Sequence, residues 1–341
     1  MTNRRPTQAD VAKRAGVSRG TVSMVLSGHS GRVPISEETR RRVLQAVSEM
    51  GYAPNPAAQM LAQGRNRLIG VFTYEPVFPY SGDDFYYPFL LGIEHEASRQ
   101  DYNVLLFTRN RSAGLRSIYG QGANALAIAD GALLLGPRPD RSELKRLYEE
   151  GYPFVFIGRR EVPGCEIDWV VSDYITASAD ATRHLIELGH RRLAYVGEGS
   201  DEAQVDRLAG CRSAVAQAGG VELQVLPREL LHRPDEFLAA LRQAGATAVL
   251  FNTIAASVAA DLLGKSARVP EELSIVILND ADWHGLSPWR PTHTRLNRQT
   301  VGEVALRTLV ARLDGQAVGP QQIRVPCDLI IGNTTAPPRS G

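Results

Sequence analysis

Ser18-Arg19-Gly20-Thr21-Val22-Ser23-Met24 is the segment of this 341-residue chain best equipped to meet a charged polymer. Serine before arginine suits a helix N-cap, so the segment opens a helix that presents Arg19 and Gly20, with Met24 one turn later. A helix fits the major groove of duplex DNA, where its first turn reaches base edges and its amides approach a phosphate. Arg19 can donate to guanine, Gly20 admits close approach of the backbone, and Met24 offers apolar contact, for example to a thymine methyl. By spacing alone Met24 equally well fills a gap in a three-helix core. Thr21 and Ser23 are candidate phosphate contacts.

Three short helices must hold that segment. Gln8 to Arg14 reads as the first, with Val11 and Ala12 inward, Thr7 as cap and Asp10 as the reciprocal acid. Gly16 permits the turn into the second, whose inward side is Val22, Val25 and Leu26. The third runs from about Ser36 or Glu37 to Met50 with a stripe of Val43, Leu44 and Val47, and Gly51 ends it. A further helix of about two turns follows, capped by Asn55, opened by Pro56 and closed by Gly64. So short a helix is marginal alone. Leu61 on it suits an apolar wedge between base steps of a minor groove, or else the helix is a plain linker.

The formal charge of +1 hides an asymmetry. Residues 1–67 hold 11 Lys+Arg against 4 Asp+Glu, a net +7, while the remainder holds 27 against 33, a net −6. Such a head is attracted to a polyanion that repels the body. The N-terminus is polar and basic with no apolar segment behind it, and no apolar run approaches the ~18 residues of a membrane span. Three cysteines form no disulfide framework or zinc knot. A reducing cytoplasm is the expected location.

Ala12-Lys13-Arg14-Ala15-Gly16-Val17-Ser18, then Thr21-Val22-Ser23-Met24-Val25-Leu26, resembles the headpiece of the lactose-repressor (LacI/GalR) family of bacterial transcriptional regulators. Glu38-Thr39-Arg40 with Val43-Leu44, and Gly51-Tyr52-Ala53-Pro54-Asn55 with Ala58 and Leu61, continue the match in register. The resemblance implies a homodimer on a pseudo-palindromic operator, with Ser18 to Leu26 as recognition helix and Leu61 as minor-groove lever. With Thr7, Arg19, Gly20, Asn55, Ala58 and Gln59 these complete the expected DNA-contacting set. The chain departs from the family in three places. Met24 stands where a polar residue, often Arg, is usual; Gln59 replaces the usual hinge Arg; and a longer stretch, His29 to Ile35, precedes the third helix.

From residue 68 onward, apolar strands alternate with amphipathic helices: strands at 68–72, 103–107, 131–135, 154–157, 167–171, 192–197, 248–251, 273–278 and 322–326, with helices between them. That order predicts parallel sheets covered on both faces, in two similar units with a ligand cleft at the strand ends. The expected organisation is an all-α helix-turn-helix headpiece (1–52), a hinge helix and linker (53–67), a bilobed α/β body (68–335) and a tail (336–341). Lobe 1 is placed at about 68–160 plus 281–310 and lobe 2 at about 161–278 plus 311–335, with crossings near Arg159, Asn279 and the final segment. The tail carries no leucine heptad, so a two-fold dimer through the bodies is expected rather than a tail-mediated tetramer.

Thr182 to Arg192, Pro270-Glu271-Glu272-Leu273-Ser274 and Leu296-Asn297-Arg298 extend the resemblance through the body, which implies a periplasmic-binding-protein-like fold whose cleft takes a small effector, by family habit a carbohydrate. Arg207 matches an effector-binding arginine and Asn279 stands where the family has a ligand-contacting aspartate. Asp84 and Phe85 fall near the first-lobe contact, and Arg159 near a crossing. Thr253 aligns directly with a contact position and Asn252 does so with a one-residue shift. Trp283, or Trp289 further along the loop, either stacks on a sugar or closes the loop against the lobe. His184 and His190 lack a clustered third ligand and read as structural, so no metal is expected. Neither a Gly-x-Gly-x-x-Gly after a strand nor a nucleophile–base pair points to a cofactor or an enzyme. The reading is therefore a transcriptional regulator, most simply a repressor, and its rival is a solute-binding protein of a transport system.

Overall fold

A computed structural model describes residues 6–27, 35–52, 66–75, 85–108, 116–120, 122–197, 199, 201–252, 268–280 and 290–339. The chain divides into two compact units, Met1–Leu68 and Ile69–Gly341.

The first unit contains α1 (Gln8–Ala15), α2 (Arg19–Ser27) and α3 (Glu37–Met50). Thr7 and Asp10 form a reciprocal capping box on α1, and Gly16 ends it with φ +67. Ser36 caps α3, and Gly51 closes it in the same left-handed geometry. Val11, Ala12, Ala15, Val22, Val25, Val43 and Ala46 form the core. The stripe of α3 is therefore Val43 and Ala46. Leu44, expected inward, is 48% exposed because it lies one position off that face.

The second unit is built on two six-stranded sheets. In chain order its elements are β1 (Leu68–Thr73), α4 (Tyr87–Arg99), β2 (Asn103–Phe107), the two-residue strands β3 (Tyr119–Gly120) and β4 (Ala123–Asn124), β5 (Gly131–Leu135), α5 (Arg141–Glu149), β6 (Phe154–Ile157), β7 (Asp168–Ser172), α6 (Tyr174–Glu187), β8 (Arg192–Val196), α7 (Glu202–Ala218), β9 (Glu222–Leu226), α8 (Pro234–Gln243), β10 (Ala248–Phe251), β11 (Ser274–Ile277), β12 (Thr292–Arg295), α9 (Arg298–Leu313), β13 (Gln322–Val325) and β14 (Asp328–Ile330). The expected helix after residue 255 lies outside the described residues.

The first sheet runs β13-β7-β6-β5-β1-β2 and the second β14-β12-β11-β10-β8-β9. Pairing is parallel from β9 through β12, and β14 closes that edge antiparallel. Alternate residues of each strand enter separate cores. Ile69, Val71, Leu133, Leu135 and Val155 face α4 and α9, while Phe72, Leu134 and Phe156 fill the opposite side. Val196, Val249 and Ile275 oppose Tyr195, Leu250 and Val276 in the second sheet in the same way. Burial on both faces is why these strands read as unbroken apolar runs.

The expected lobe boundaries need correction. β7 pairs with β6 and β13 with β7, so 168–172 and 322–325 belong to lobe 1. β12 and β14 extend the second sheet, so 292–295 belongs to lobe 2 together with 328–330, which was expected there. The chain therefore crosses between lobes after β7 near Asp173, between β12 and α9 near Leu296, and between β13 and β14 near Pro326, rather than at Arg159 and Asn279.

His190 and His184 fasten the C-terminal segment. His190 is 1% exposed, and its Nε2 lies 2.9 Å from the Ala336 carbonyl, so Nε2 carries the proton and donates. Its Nδ1 lies 2.8 Å from Thr247 Oγ1, and His184 Nε2 lies 3.0 Å from Thr335 Oγ1. Burial lowers the His190 pKa, more than its bond to Ala336 raises it. A lowered folded pKa means that the stability is complete above the ordinary value of about 6.5 and is lost as pH falls through the folded one. His190→Ala should cost about 1–3 kcal/mol and remove that acid-side loss. Urea titrations of both proteins at pH 7.5 and 5.5 check this: parallel acid loss in the two would assign it elsewhere.

Candidate functional site

On the first unit, Ser18 Oγ accepts the Thr21 amide at 3.1 Å and lies 2.9 Å from Thr21 Oγ1. These hydroxyls thus organise the start of α2. Arg19 and Gly20 are exposed beside them, and Thr21 and Ser23 are half-buried. Met24 is half-buried on α2. Thr7 is exposed at the start of α1, engaged with Asp10. Asn55, Ala58, Gln59 and Leu61 lie outside the described residues.

The second unit holds a cavity of about 830 Å³. Lobe 1 contributes Phe85, Phe89, Leu135, Ile157, Arg159 and Arg160, and lobe 2 contributes Asp201, Gln204, Arg207 and Asn279. Of the expected residues, the structure brings together Phe85, Arg159, Arg207 and Asn279. Asn252 is 1% exposed, donates to the Gly197 carbonyl at 3.2 Å and does not line the cavity. Its place at the end of the fully buried strand β10 turns its side chain against Gly197 instead. Asp84, Thr253, Trp283 and Trp289 lie outside the described residues.

Arg207 is 4% exposed, stands 4.0 Å over the Tyr174 ring and donates from Nε to the Leu278 carbonyl at 2.8 Å. Burial raises the pKa of Tyr174, which keeps the ring neutral beneath the cation. Arg298 donates to the Phe85 carbonyl at 2.9 Å, lies over its ring and pairs with Asp280 at 2.7 Å. It thereby ties Phe85 of lobe 1 to the segment that follows β11.

One network was not legible beforehand. Glu202 and Asp206, four residues apart on α7, are both buried. Asp206 accepts Arg159 at 2.8 and 3.1 Å and Arg324 at 3.3 Å; Glu202 accepts Arg141 at 2.7 Å and Arg160 at 3.4 Å. All four arginines come from lobe 1. Burial alone would lower the pKa of Arg159, but its bonds to Asp206 and Glu161 raise it on balance. For the more deeply buried Arg160, burial wins and lowers it. The i,i+4 acids Glu202 and Asp206, just before Arg207, were the available signal, yet their partners lie 42 to 118 positions away.

Burial pushes the thiols of Cys211 and Cys327 up to about 12, so both stay protonated. Among the described residues no group of three His, Cys, Asp or Glu could hold a metal, and no helix is long and apolar enough to cross a membrane.

Residues 7–55 match the model of the lacI family of bacterial regulatory proteins, and residues 182–335 match a periplasmic binding protein-like domain. The HTH-type transcriptional regulator CelR of Thermobifida fusca is 32% identical, over 96% of this chain and 98% of its own. The regulator PtxS of Pseudomonas putida is 27% identical over 98% of each chain. A solved CelR–cellobiose complex aligns with a TM-score of 0.64 at 27% identity, covering 97% of this chain and all of that one. A lac repressor dimer bound to operator and anti-inducer shares the fold, with a TM-score of 0.72 at 23% identity over 98% of this chain and all of that one.

Proposed function

Because the chain belongs to the LacI family of bacterial regulatory proteins, and is thus a sequence-specific DNA-binding transcriptional regulator under effector control, we propose that it is a repressor acting as a homodimer on a pseudo-palindromic operator. Two headpieces enter successive major grooves, each through the first turn of α2. Two hinge helices order in the central minor groove, with Asn55, Ala58, Gln59 and Leu61 at the contact. The basic head steers the protein to cytoplasmic, nucleoid DNA. The observation that carries the reading is the capped start of α2, which leaves Arg19 and Gly20 exposed together.

The cavity is the proposed effector site, with Phe85, Arg159, Arg207 and Asn279 at the ligand and Asp84, Thr253 and Trp283 as further candidates. The cellobiose held by CelR supports a carbohydrate as its occupant. A ligand bound between two lobes shifts their angle, and through it the spacing of the hinge starts. DNA affinity and ligand affinity are then coupled by one free energy. A solute-binding protein shares the body but has no use for a helix-turn-helix head.

Selection of binding sites from random duplex DNA at fixed salt should recover a two-fold pseudo-palindrome with a deformable central step. The selection is run with and without candidate sugars, which reads the sign of the coupling. No enriched motif under either condition would sink the regulator mechanism. On the selected site, Arg19→Ala should cost about 1–3 kcal/mol of affinity and relax one base position.

Gly20→Ala separates DNA approach from folding. A Cβ there meets only Ser18 Oγ at 3.6 Å, so the fold accepts it and gains up to about 1 kcal/mol of helix propensity. Operator affinity, measured by anisotropy, should nevertheless fall by about tenfold if the backbone lies against a phosphate or base edge. Unchanged affinity would place Gly20 outside the interface.

A further inference from the structure

Two polar groups of the cavity make no hydrogen bond with any described residue beyond those already given, and they are neighbours. Arg207 spends Nε on the carbonyl of Leu278, and Asn279 is the next residue. The Tyr174 ring covers one face of the guanidinium. Its two Nη atoms have no carboxylate partner among the described residues. The acids around it are engaged elsewhere: Asp206 with Arg159 and Arg324, Glu202 with Arg141 and Arg160, Asp280 with Arg298 and the Leu296 amide, and Asp201 with Gln204. The Asn279 amide makes no hydrogen bond within the described chain.

A guanidinium so placed has lost most of its water without gaining a counter-ion, which is a costly state. A neutral hydroxyl would restore hydrogen bonds but not charge. A carboxylate restores both, and its two oxygens match the planar Nη fork. Asn279, in the same lining and next in sequence to the carbonyl that holds Arg207, offers a neutral amide donor. Phe85, Phe89, Leu135, Ile157 and Val301 give part of the lining an apolar wall that suits a C–H face or an aromatic ring, while Glu75, Arg159, Arg160, Ser172 and Gln204 add polar groups to the rest.

We infer that the effector carries a carboxylate, which seats on the Nη edge of Arg207 and the Asn279 amide. The inference rests on the cavity being the effector site. Apolar walls accept either a sugar acid or an aromatic acid, and matched probes separate the two.

Titration calorimetry on the full-length protein at fixed salt, with glucuronate against glucose and benzoate against benzamide, tests it. One acid should bind at least about tenfold more tightly than its neutral partner, since only the acid pairs with the charge. Arg207→Gln should remove that advantage. Asn279→Asp should remove it too, by placing a like charge at the seat with almost no change of volume, and circular dichroism should show both variants folded. A neutral probe that binds as tightly as its acid overturns the inference, as does the absence of binding by either acid, or acid binding that survives both substitutions. Operator affinity is read alongside. A neutral sugar that shifts it keeps the effector site and discards the carboxylate. An acid that binds through Arg207 without shifting it keeps the carboxylate seat and discards the effector role.

Discussion

Gly302→Ala should destabilise the body by about 2 kcal/mol or more, and Gly92→Ala by at least as much. In an ordinary helix either change would be favourable by up to about 1 kcal/mol, because alanine loses less conformational freedom than glycine. Here the sign reverses. A Cβ on Gly302 would overlap the carbonyl oxygen of Phe89, and a Cβ on Gly92 would overlap that of Gln299. Both obstacles are backbone atoms of the facing helix, so no side-chain rotation relieves them. α4 and α9 cross with their backbones nearly touching, and they must move apart to admit a methyl group.

Moving them disturbs Ile93, Val301, Ala305 and Leu309, all at most 1% exposed in the core on one face of the first sheet. Thermal and urea unfolding of the two variants measure the effect, with Gly20→Ala as the control that adds a methyl where there is room. An unfolding midpoint equal to that of the parent in Gly302→Ala would mean that the helices already have slack at this crossing. Lobe 2 repeats the device at Gly210, whose added Cβ would overlap the Ile175 carbonyl oxygen.

Neither crossing was visible in the sequence, because a glycine inside a helical run carries no sign of the backbone it will face. What was legible follows from periodicity. The buried strands β1, β5, β6, β8 and β10 are apolar at nearly every position because both faces are covered, and their bounds could be read directly. β12 could not be read so. Its sequence is Thr292-His293-Thr294-Arg295, yet Thr292 and Thr294 are at most 1% exposed. Thr334 Oγ1 accepts the Thr292 amide and Thr335 Oγ1 lies 3.0 Å from Thr292 Oγ1, so the buried polar groups are satisfied by a segment some forty residues away. Missing β12 put 292–295 in the wrong lobe, and β7 and β13, though read as strands, were given to the wrong lobe because nothing local in a strand names the strand it pairs with.

The sites divide in the same way. The start of α2 and Arg207 carry local motifs. Tyr174 beneath Arg207, Arg298 against Phe85, and the four arginines on Glu202 and Asp206 are contacts between distant segments, for which the chain has no local pattern. Asn252 was misplaced because alignment fixes a register but not the direction of a side chain at a strand end.

Asp206→Asn is the substitution with the largest expected effect on switching. The asparagine fills the same space and can accept a hydrogen bond, but Arg159 and Arg324 lose the charge they share. Arg159 keeps only Glu161, whose side chain is 75% exposed and well screened. Removing one partner of a buried ion pair costs about 3–5 kcal/mol when the remaining charge stays buried. Here it need not stay buried. Both arginines belong to lobe 1 and Asp206 to lobe 2, so separating the lobes returns the guanidinium groups to water while each sheet keeps its core. Opening is the cheaper response, and the cost appears in the open–closed equilibrium rather than in unfolding of either lobe.

A shift of about 3 kcal/mol changes that equilibrium roughly 150-fold, and the affinity of any ligand that needs both lobes falls with the closed fraction. α7 makes the coupling direct, since Ala203, Gln204 and Arg207 face the cavity while Glu202 and Asp206 hold lobe 1. Arg141 contributes less, with a side chain 53% exposed, so Arg141→Ala is the mild comparison. Hydrogen exchange on the full chain checks the argument. Amides of 158–161 and 201–207 should lose at least about tenfold protection in Asp206→Asn, while those of β5, β6, β8 and β10 keep theirs. Equal loss in the strands would mean that the substitution unfolds the body instead of opening it. Unchanged exchange at 158–161 would show that the lobes are held by something other than these ion pairs, leaving effector control to act elsewhere in the fold.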